Sequence, residues 1–260
     1  MCGGGVIVAG GVLAGRVALV TGGGSGIGRA TAELFAEQGA AVVVVDLSNS
    51  GEETVAAIAA AGGEAMFVRA DVSVEADVEA AVRAAESVYG EVDAAFNNAG
   101  VGAPRSPFEE LEAAAWDRLI AVNLRGVWLC MKHELAIMVP LGRGTIVNTA
   151  SVAGVVGTAG LSSYTAAKHG VVGLTRTAAV EHGRNGIRVN AIAPGFTRTP
   201  MVKDVLDDPT IDIEELLAAS PMARMAEPRE IAEAVLWLTS PLSSFVTGHV
   251  LVADGGYTAQ

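Results

Sequence analysis

Five short runs of Val, Ile and Ala recur along this chain, at 17–21, 41–46, 92–97, 145–148 and 187–192, with longer amphipathic stretches between them. Each run is continuously apolar, the pattern of strands buried on both faces. Strands of that kind alternating with helices give an α/β fold, a parallel sheet with helices on both faces. Two weaker runs, 65–70 and 249–253, raise the strand count to seven. The intervening periodicity predicts helices near 26–38, 51–61, 74–89, 109–138, 163–183 and 228–239. No linker or low-complexity tract interrupts residues 1–260, so the chain reads as one domain.

Two segments stand outside this alternation. The glycine-rich apolar stretch 5–15 has no Lys or Arg before it and is shorter than the roughly 20 residues a membrane helix needs. It reads as part of a mobile N-terminal arm, 1–13, leading into the first strand. Segment 195–226 is bounded and punctuated by Pro194, Pro200, Pro209, Pro221 and Pro228. Its Phe196, Met201, Val205, Leu206, Leu216 and Leu217 suit a packed lid on the substrate side better than a disordered loop.

Composition removes whole function classes. Hydrophobic residues at 51% exclude general disorder, and a net charge of −12 leaves no basic face for nucleic acid or an anionic membrane. Cys2 and Cys130 form no CxxC pair, which excludes a disulfide framework and fits a reducing, cytoplasmic compartment. The four histidines show no paired ligand spacing, so no metal site is expected. His169 reads as a helix residue on a packed face, and Cys130 as a small buried apolar residue.

Between the first run and its helix stands Gly22-Gly-Gly-Ser-Gly26-Ile-Gly28. Glycine there lets the backbone approach a pyrophosphate closely, and the helix start offers free N–H groups and a positive dipole end. Gly22, Ser25, Gly26, Ile27 and Gly28 are the candidate contacts. Asp46 closes the second run, 18 residues after Gly28, where a carboxylate can accept hydrogen bonds from adenosine ribose hydroxyls and repel a 2′-phosphate. Neither Ser25 nor Leu47, the residue after Asp46, supplies a cation for that phosphate. NAD is therefore expected over NADP, with Arg29 and Arg69 the two cations weighing the other way.

Tyr164 and Lys168, four residues apart, share one face of a helix. An adjacent ammonium can lower a phenol's pKa by roughly 1–3 units, making it a usable acid or base near neutrality. Together with Thr21–Gly28, Asp71, Asn97-Asn-Ala-Gly100, Asn123, Asn148-Thr-Ala-Ser151, Arg188-Val-Asn190 and Pro194-Gly195, this pair resembles the compact short-chain dehydrogenase/reductase family. The resemblance runs from about residue 14 to near the end of the chain. It implies a doubly wound Rossmann-type sheet of order 3-2-1-4-5-6-7. It further implies that Ser151 hydrogen-bonds the substrate oxygen, that Lys168 also binds the nicotinamide ribose, and that Asn123 holds a water relaying protons to Lys168. Asn98, Ala99 and Gly100 would contact the adenosine side, Asp71 and Val72 the adenine, and Pro194, Gly195, Thr197 and Thr199 the carboxamide side of nicotinamide. A homotetramer is implied as well.

The expected pocket walls, 101–105, 152–161 and the 195–217 lid, are mainly apolar. They favour NAD-dependent hydride transfer with a neutral, largely apolar secondary alcohol or ketone. Arg105, Arg198 and Lys203 would serve an anionic substrate if they faced the pocket. The alternatives are a 3-oxoacyl-thioester (acyl carrier protein) reductase, a glucose-type sugar dehydrogenase, and an NAD-binding regulatory protein.

Overall fold

In the computed structural model, which describes residues 10–203 and 213–259, the apolar runs become seven strands. They are β1 (Val17–Thr21), β2 (Ala41–Asp46), β3 (Glu64–Arg69), β4 (Ala94–Asn97), β5 (Gly144–Thr149), β6 (Ile187–Pro194) and β7 (Val250–Ala253). All pair in parallel, in the order β3-β2-β1-β4-β5-β6-β7. The order reverses between β1 and β4, and a crevice opens there at the carboxyl ends of the strands.

Helices α1 (Gly26–Glu37), α2 (Ser50–Ala60) and α8 (Pro228–Thr239), the last preceded by the short α7 (Ile213–Ala218), cover one face of the sheet; α3 (Glu75–Tyr89), α5 (Val127–Leu141) and α6 (Ser162–His182) cover the other. The alternation of β1 decides which side chain meets which layer. Val17 and Leu19 pack in the core that holds Met131 and Val171, while Ala18 and Val20 pack with Phe35, Ile58 and Val235. Valines 42–45 are at most 2% exposed, and burying each contributes about 1.5–3 kcal/mol.

The single helix expected over 109–138 is divided. A short 3₁₀ turn (Phe108–Glu110) gives way to extended backbone at Leu111 and Glu112, then to α4 (Ala113–Ile120), a π-helical turn (Ala121–Gly126) and α5. Periodicity cannot reveal the one extra residue per turn that makes a π-turn, and such turns concentrate at functional sites.

The N-terminal segment joins the body earlier than residue 13. Leu13 is 2% exposed, and its N–H donates to the Gln38 carbonyl at 3.0 Å. Residues 1–9 of the expected arm lie outside the described residues. Two residues of the Arg188-Val-Asn190 motif act as fasteners: Arg188 donates to the Thr239, Ser240 and Val246 carbonyls and to Ser243 Oγ, and Asn190 bonds the Val246 carbonyl and the His249 N–H. Among the described residues no helix is long and apolar enough to cross a membrane.

Candidate active site

At the first strand end the chain turns through Gly22 in the left-handed region (φ +64°). A Cβ on Gly28 would collide with the Gly22 carbonyl oxygen and lie 2.6 Å from Asn98 Nδ2, so the loop closes this tightly only with glycine there. Helix α1 starts behind it with no side-chain cap and no acidic residue in its first turn, which leaves its positive end unneutralised. Asp46 reaches the same loop: Oδ2 accepts from Gly24 N–H and Oδ1 from Ser48 N–H, both at 2.9 Å. A glycine cradle, a bare helix start and a carboxylate at the next strand end fit the diphosphate and ribose of a dinucleotide. Leu47 beside them is exposed. Arg29 is engaged by Glu33 at 2.8 Å, and Arg69 Nε donates to the Leu47 carbonyl at 3.0 Å.

The end of β4 is fastened onto this loop. Thr21 Oγ1 accepts from Asn98 N–H (3.0 Å) and Ala99 N–H (3.1 Å), and Asn98 Nδ2 donates to the Thr21 and Gly22 carbonyls. Gly100 follows, close under Asn123. Asp71 takes both the N–H and the hydroxyl of Ser73 on Oδ1, shaping the entry to α3 next to buried Val72. From the far side Thr199 lies against Gly26. Pro194 ends β6, Gly195 N–H donates to the Ala253 carbonyl, and buried Thr197 bonds the Gly195 carbonyl. The glycine-loop and Pro194–Thr199 candidates thus meet at one crevice.

Ser151, Tyr164 and Lys168 also come together. Ser151 caps the 3₁₀ turn Val152–Gly154, accepting from Ala153 N–H at 3.2 Å, and its hydroxyl lies beside that of Tyr164. Lys168, one turn along α6, is buried; its Nζ donates to the Thr149 carbonyl at 2.7 Å and stands 5.5 Å from the centre of the Tyr164 ring. The electrostatics differ from the expectation drawn from spacing alone. Burial pushes the Tyr164 phenol above its ordinary range, and the opposing pull comes from the Ser151 hydroxyl. Lys168 itself is lowered to about 8 by desolvation, so near neutrality its charge is not fully held.

Asn123 has a structural task beside the one expected of it. Fully buried in the π-turn, it clamps Val101: Oδ1 accepts from the Val101 N–H and Nδ2 donates to the Val101 carbonyl, both at 2.8 Å. Its side-chain amide thus positions the loop after Gly100. His169 is a correction: it was expected on a packed face and is exposed, with Nδ1 bonded to the Thr165 carbonyl.

A cavity of about 550 Å³ adjoins the site, reached past Val152 and Gly195. Among the described residues of the expected walls, Val152, Gly195, Phe196 and Leu217 line it; the 101–105 loop does not, and Arg105 is turned onto the Ala159 carbonyl. Sequence reasoning missed the apolar walls Met222, Ile231, Val252 and Tyr257, from α8, β7 and the flanking loops, and the polar Ser220, Arg224, Glu230 and Asp254 beside them. Pairing of Pro194 with Ala253 at neighbouring strand ends brings the segment after β7 beside the one after β6. The Gly255-Gly256 turn was the available signal. Arg198 pairs with Glu227 at 3.0 Å and Arg224 with Glu230 at 2.7 Å, so neither offers a free cation to this cavity. Val205 and Leu206 of the expected lid, and the side chain of Leu216, lie outside the described residues.

Comparison with known proteins agrees with this geometry. The family profile described as "Enoyl-(Acyl carrier protein) reductase" matches residues 22–258. A cis-4-hydroxycyclohexanecarboxylate dehydrogenase of Sinomonas cyclohexanicum is 48% identical over 94% of this chain and 97% of its own. A 2,5-dichloro-2,5-cyclohexadiene-1,4-diol dehydrogenase of Sphingobium indicum is 46% identical over 95% and 98%. The crystal structure of levodione reductase superposes with a TM-score of 0.92 at 47% identity, covering 95% of this chain and 99% of that one. Dehydrogenases of this type use NAD(P). The chain belongs to the short-chain dehydrogenase/reductase family and is an alcohol dehydrogenase/ketoreductase acting on CH–OH groups.

Proposed function

We propose that this enzyme interconverts a neutral, largely apolar cyclic secondary alcohol and its ketone, with NAD preferred over NADP. The observation that carries the reading is the Ser151–Tyr164–Lys168 group beside a 550 Å³ cavity walled mainly by Val, Ile, Leu, Met and aromatic side chains, whose one described lining cation, Arg224, is paired with Glu230. The two relatives named for hydroxylated six-membered rings support the same class. A 4-hydroxycyclohexanecarboxylate would bring a carboxylate, and among the described lining residues the one cation, Arg224, is already paired with Glu230.

When bound, NAD would supply the hydride acceptor for the carbinol carbon; the chain's own residues do the rest. Ser151 holds the substrate oxygen, and Tyr164 takes the hydroxyl proton in oxidation and returns it in reduction. Lys168, tethered to the Thr149 carbonyl, faces the Tyr164 ring and the nicotinamide ribose. Asn123 keeps the 98–101 loop in place through Val101. Because oxidation needs the deprotonated phenol and burial raises its pKa, oxidation accelerates toward alkaline pH and ketone reduction toward neutral pH. Gly22, Ser25, Gly26, Ile27 and Gly28 hold the diphosphate. Asp46 and Leu47 meet the adenosine ribose, Asp71, Val72 and Asn98–Gly100 the adenosine, and Pro194, Gly195, Thr197 and Thr199 the carboxamide. The exposed Trp237, Leu242 and Phe245, next to the open edge of β7, suit a homotetrameric assembly.

The test is formation of reduced cofactor from NAD and from NADP, across cyclic, aryl, sugar and hydroxyacyl alcohols. Turnover is expected with NAD and cyclic apolar alcohols. Asp46→Ala should shift the NADP/NAD ratio of kcat/KM upward by about 10–100-fold, because the like charge facing a 2′-phosphate is gone. A wild-type enzyme that prefers NADP contradicts the role given to Asp46, and turnover confined to sugars or hydroxyacyl thioesters contradicts the substrate class.

A further inference from the structure

A charged residue type stands where the fold has no water to offer it. Glu134, on α5, is fully buried. Its Oε2 accepts from Asn97 Nδ2 at 3.0 Å. The same Nδ2 donates to Asn148 Oδ1 at 3.0 Å, Asn148 Nδ2 donates to Thr175 Oγ1 at 3.0 Å, and the Thr175 hydroxyl donates to the Val171 carbonyl. A polar chain therefore runs along one face of the sheet, from α5 over β4 and β5 to α6. Two of its atoms, Glu134 Oε1 and Asn97 Oδ1, are buried with no hydrogen-bond partner. Buried polar atoms left so are costly, because they have given up water without gaining a partner.

Glu134 also lines a cavity of about 10 Å³ with Thr21, close to the least that admits one water. Thr21 Oγ1 already accepts from Asn98 and Ala99 N–H, so its own hydroxyl proton is what it has left to give. A water shared by Thr21 and Glu134 satisfies both. We propose that Glu134 is a positioning residue for the cofactor: through Asn97, and through one water shared with Thr21, it holds the ends of β1 and β4 and so sets the Asn98–Gly100 turn. This role rests on the reading of that turn as an NAD contact.

Burial pushes the Glu134 carboxyl up to about 7, so it keeps its proton below neutrality and loses it at alkaline pH. The groups facing it from β1, β2 and α3 are Thr21, Val45, Val78, Ala81 and Val82, none charged. Its titratable neighbour is the buried Cys130 thiol on its own helix, pushed well up by burial and so neutral throughout this range. Above pH 7 the turn must accommodate a buried charge that no cation compensates.

Glu134→Gln, which copies the protonated acid and cannot ionise, tests the role through NADH fluorescence titrations from pH 6 to 8.5. At pH 6 its Kd should match the wild type. By pH 8.5 the wild-type Kd should be about 5-fold weaker than that of the variant, in the range of coupling between linked sites. In the cofactor-free proteins, the fall in thermal midpoint of the wild type between pH 5 and 8 should be absent from Glu134→Gln. Glu134→Leu, which removes both bonds, should weaken NADH about 10-fold already at pH 6; if it does not fold, the Glu134→Gln ratio decides. A variant-to-wild-type Kd ratio that stays constant with pH, or a Glu134→Leu protein that binds NADH as the wild type does, overturns the proposal. A wild-type protein that binds no NADH at any pH overturns the cofactor reading, and this role with it.

Discussion

Tyr164→Phe lowers kcat for alcohol oxidation by about 10²–10⁴-fold and leaves NADH binding within roughly twofold of the wild type. The substitution removes one oxygen. The ring keeps its place on α6, and Lys168 keeps its bond to the Thr149 carbonyl. What disappears is the group that the Ser151 hydroxyl contacts and the only phenol in the Ser151–Lys168 cluster. A thousandfold loss corresponds to about 4 kcal/mol of transition-state stabilisation, the size of a positioned proton donor and far beyond one neutral hydrogen bond. Steady-state rates beside a fluorescence titration separate the two effects. Retention of kcat within tenfold would move proton exchange to another group, and a parallel loss of NADH binding would make Tyr164 a structural residue.

The second large effect is expected at Gly28→Ala, which should weaken NAD(H) by at least about 100-fold, or roughly 3 kcal/mol. The added methyl would strike the Gly22 carbonyl, which is backbone, and crowd Asn98 Nδ2, which is itself committed to the Thr21 and Gly22 carbonyls. No flexible side-chain end can move aside, so the loop itself must open, and Asn98 with it. The matched control is Gly173→Ala in α6: a Cβ there meets nothing within 4 Å, and the change should raise stability by about 0.5–1 kcal/mol with cofactor affinity unchanged. Calorimetric titration with NADH and thermal melts of both variants check the pair. Equal affinity in Gly28→Ala would contradict the assignment of this loop to the diphosphate.

Much of the fold was legible because parallel strands write themselves into sequence as unbroken apolar runs. Ala41–Asp46 and Val17–Thr21 were read to the residue, and the weak run at 249–253 settled at Val250–Ala253. The helix over 109–138 was misread because a π-turn leaves the apolar pattern almost undisturbed while shifting the register that follows. Within the site, the juxtaposition of Tyr164 and Lys168 followed from helical spacing, but the sense of the phenol's shift did not. Spacing counts the neighbouring ammonium and is blind to burial, and here burial raises the phenol, opposed by the Ser151 hydroxyl. Asn123 was found as a residue, but its clamp on Val101 was not legible, since that partner is 22 residues away in the chain. Glu134 escaped notice altogether: in Lys132-His-Glu-Leu a glutamate looks like any solvated helix position, and only the packed α5 reveals it as buried. The cavity walls beyond Leu217 depend on which strand ends become neighbours, a property of the sheet order and not of any local segment.

The most direct test of the central claim, hydride transfer between NAD and the carbinol carbon of a cyclic secondary alcohol with proton exchange at Tyr164, follows the fate of a label. The enzyme is given NAD and a cyclohexanol carrying deuterium on its carbinol carbon, and the products are read by NMR and mass spectrometry. The account predicts that the deuterium appears in the reduced nicotinamide, that the ketone carries none at the reacting carbon, and that the labelled alcohol turns over more slowly than the unlabelled one. Release of the deuterium to water during turnover would contradict it, because the carbon–hydrogen bond would then be losing a proton and not a hydride.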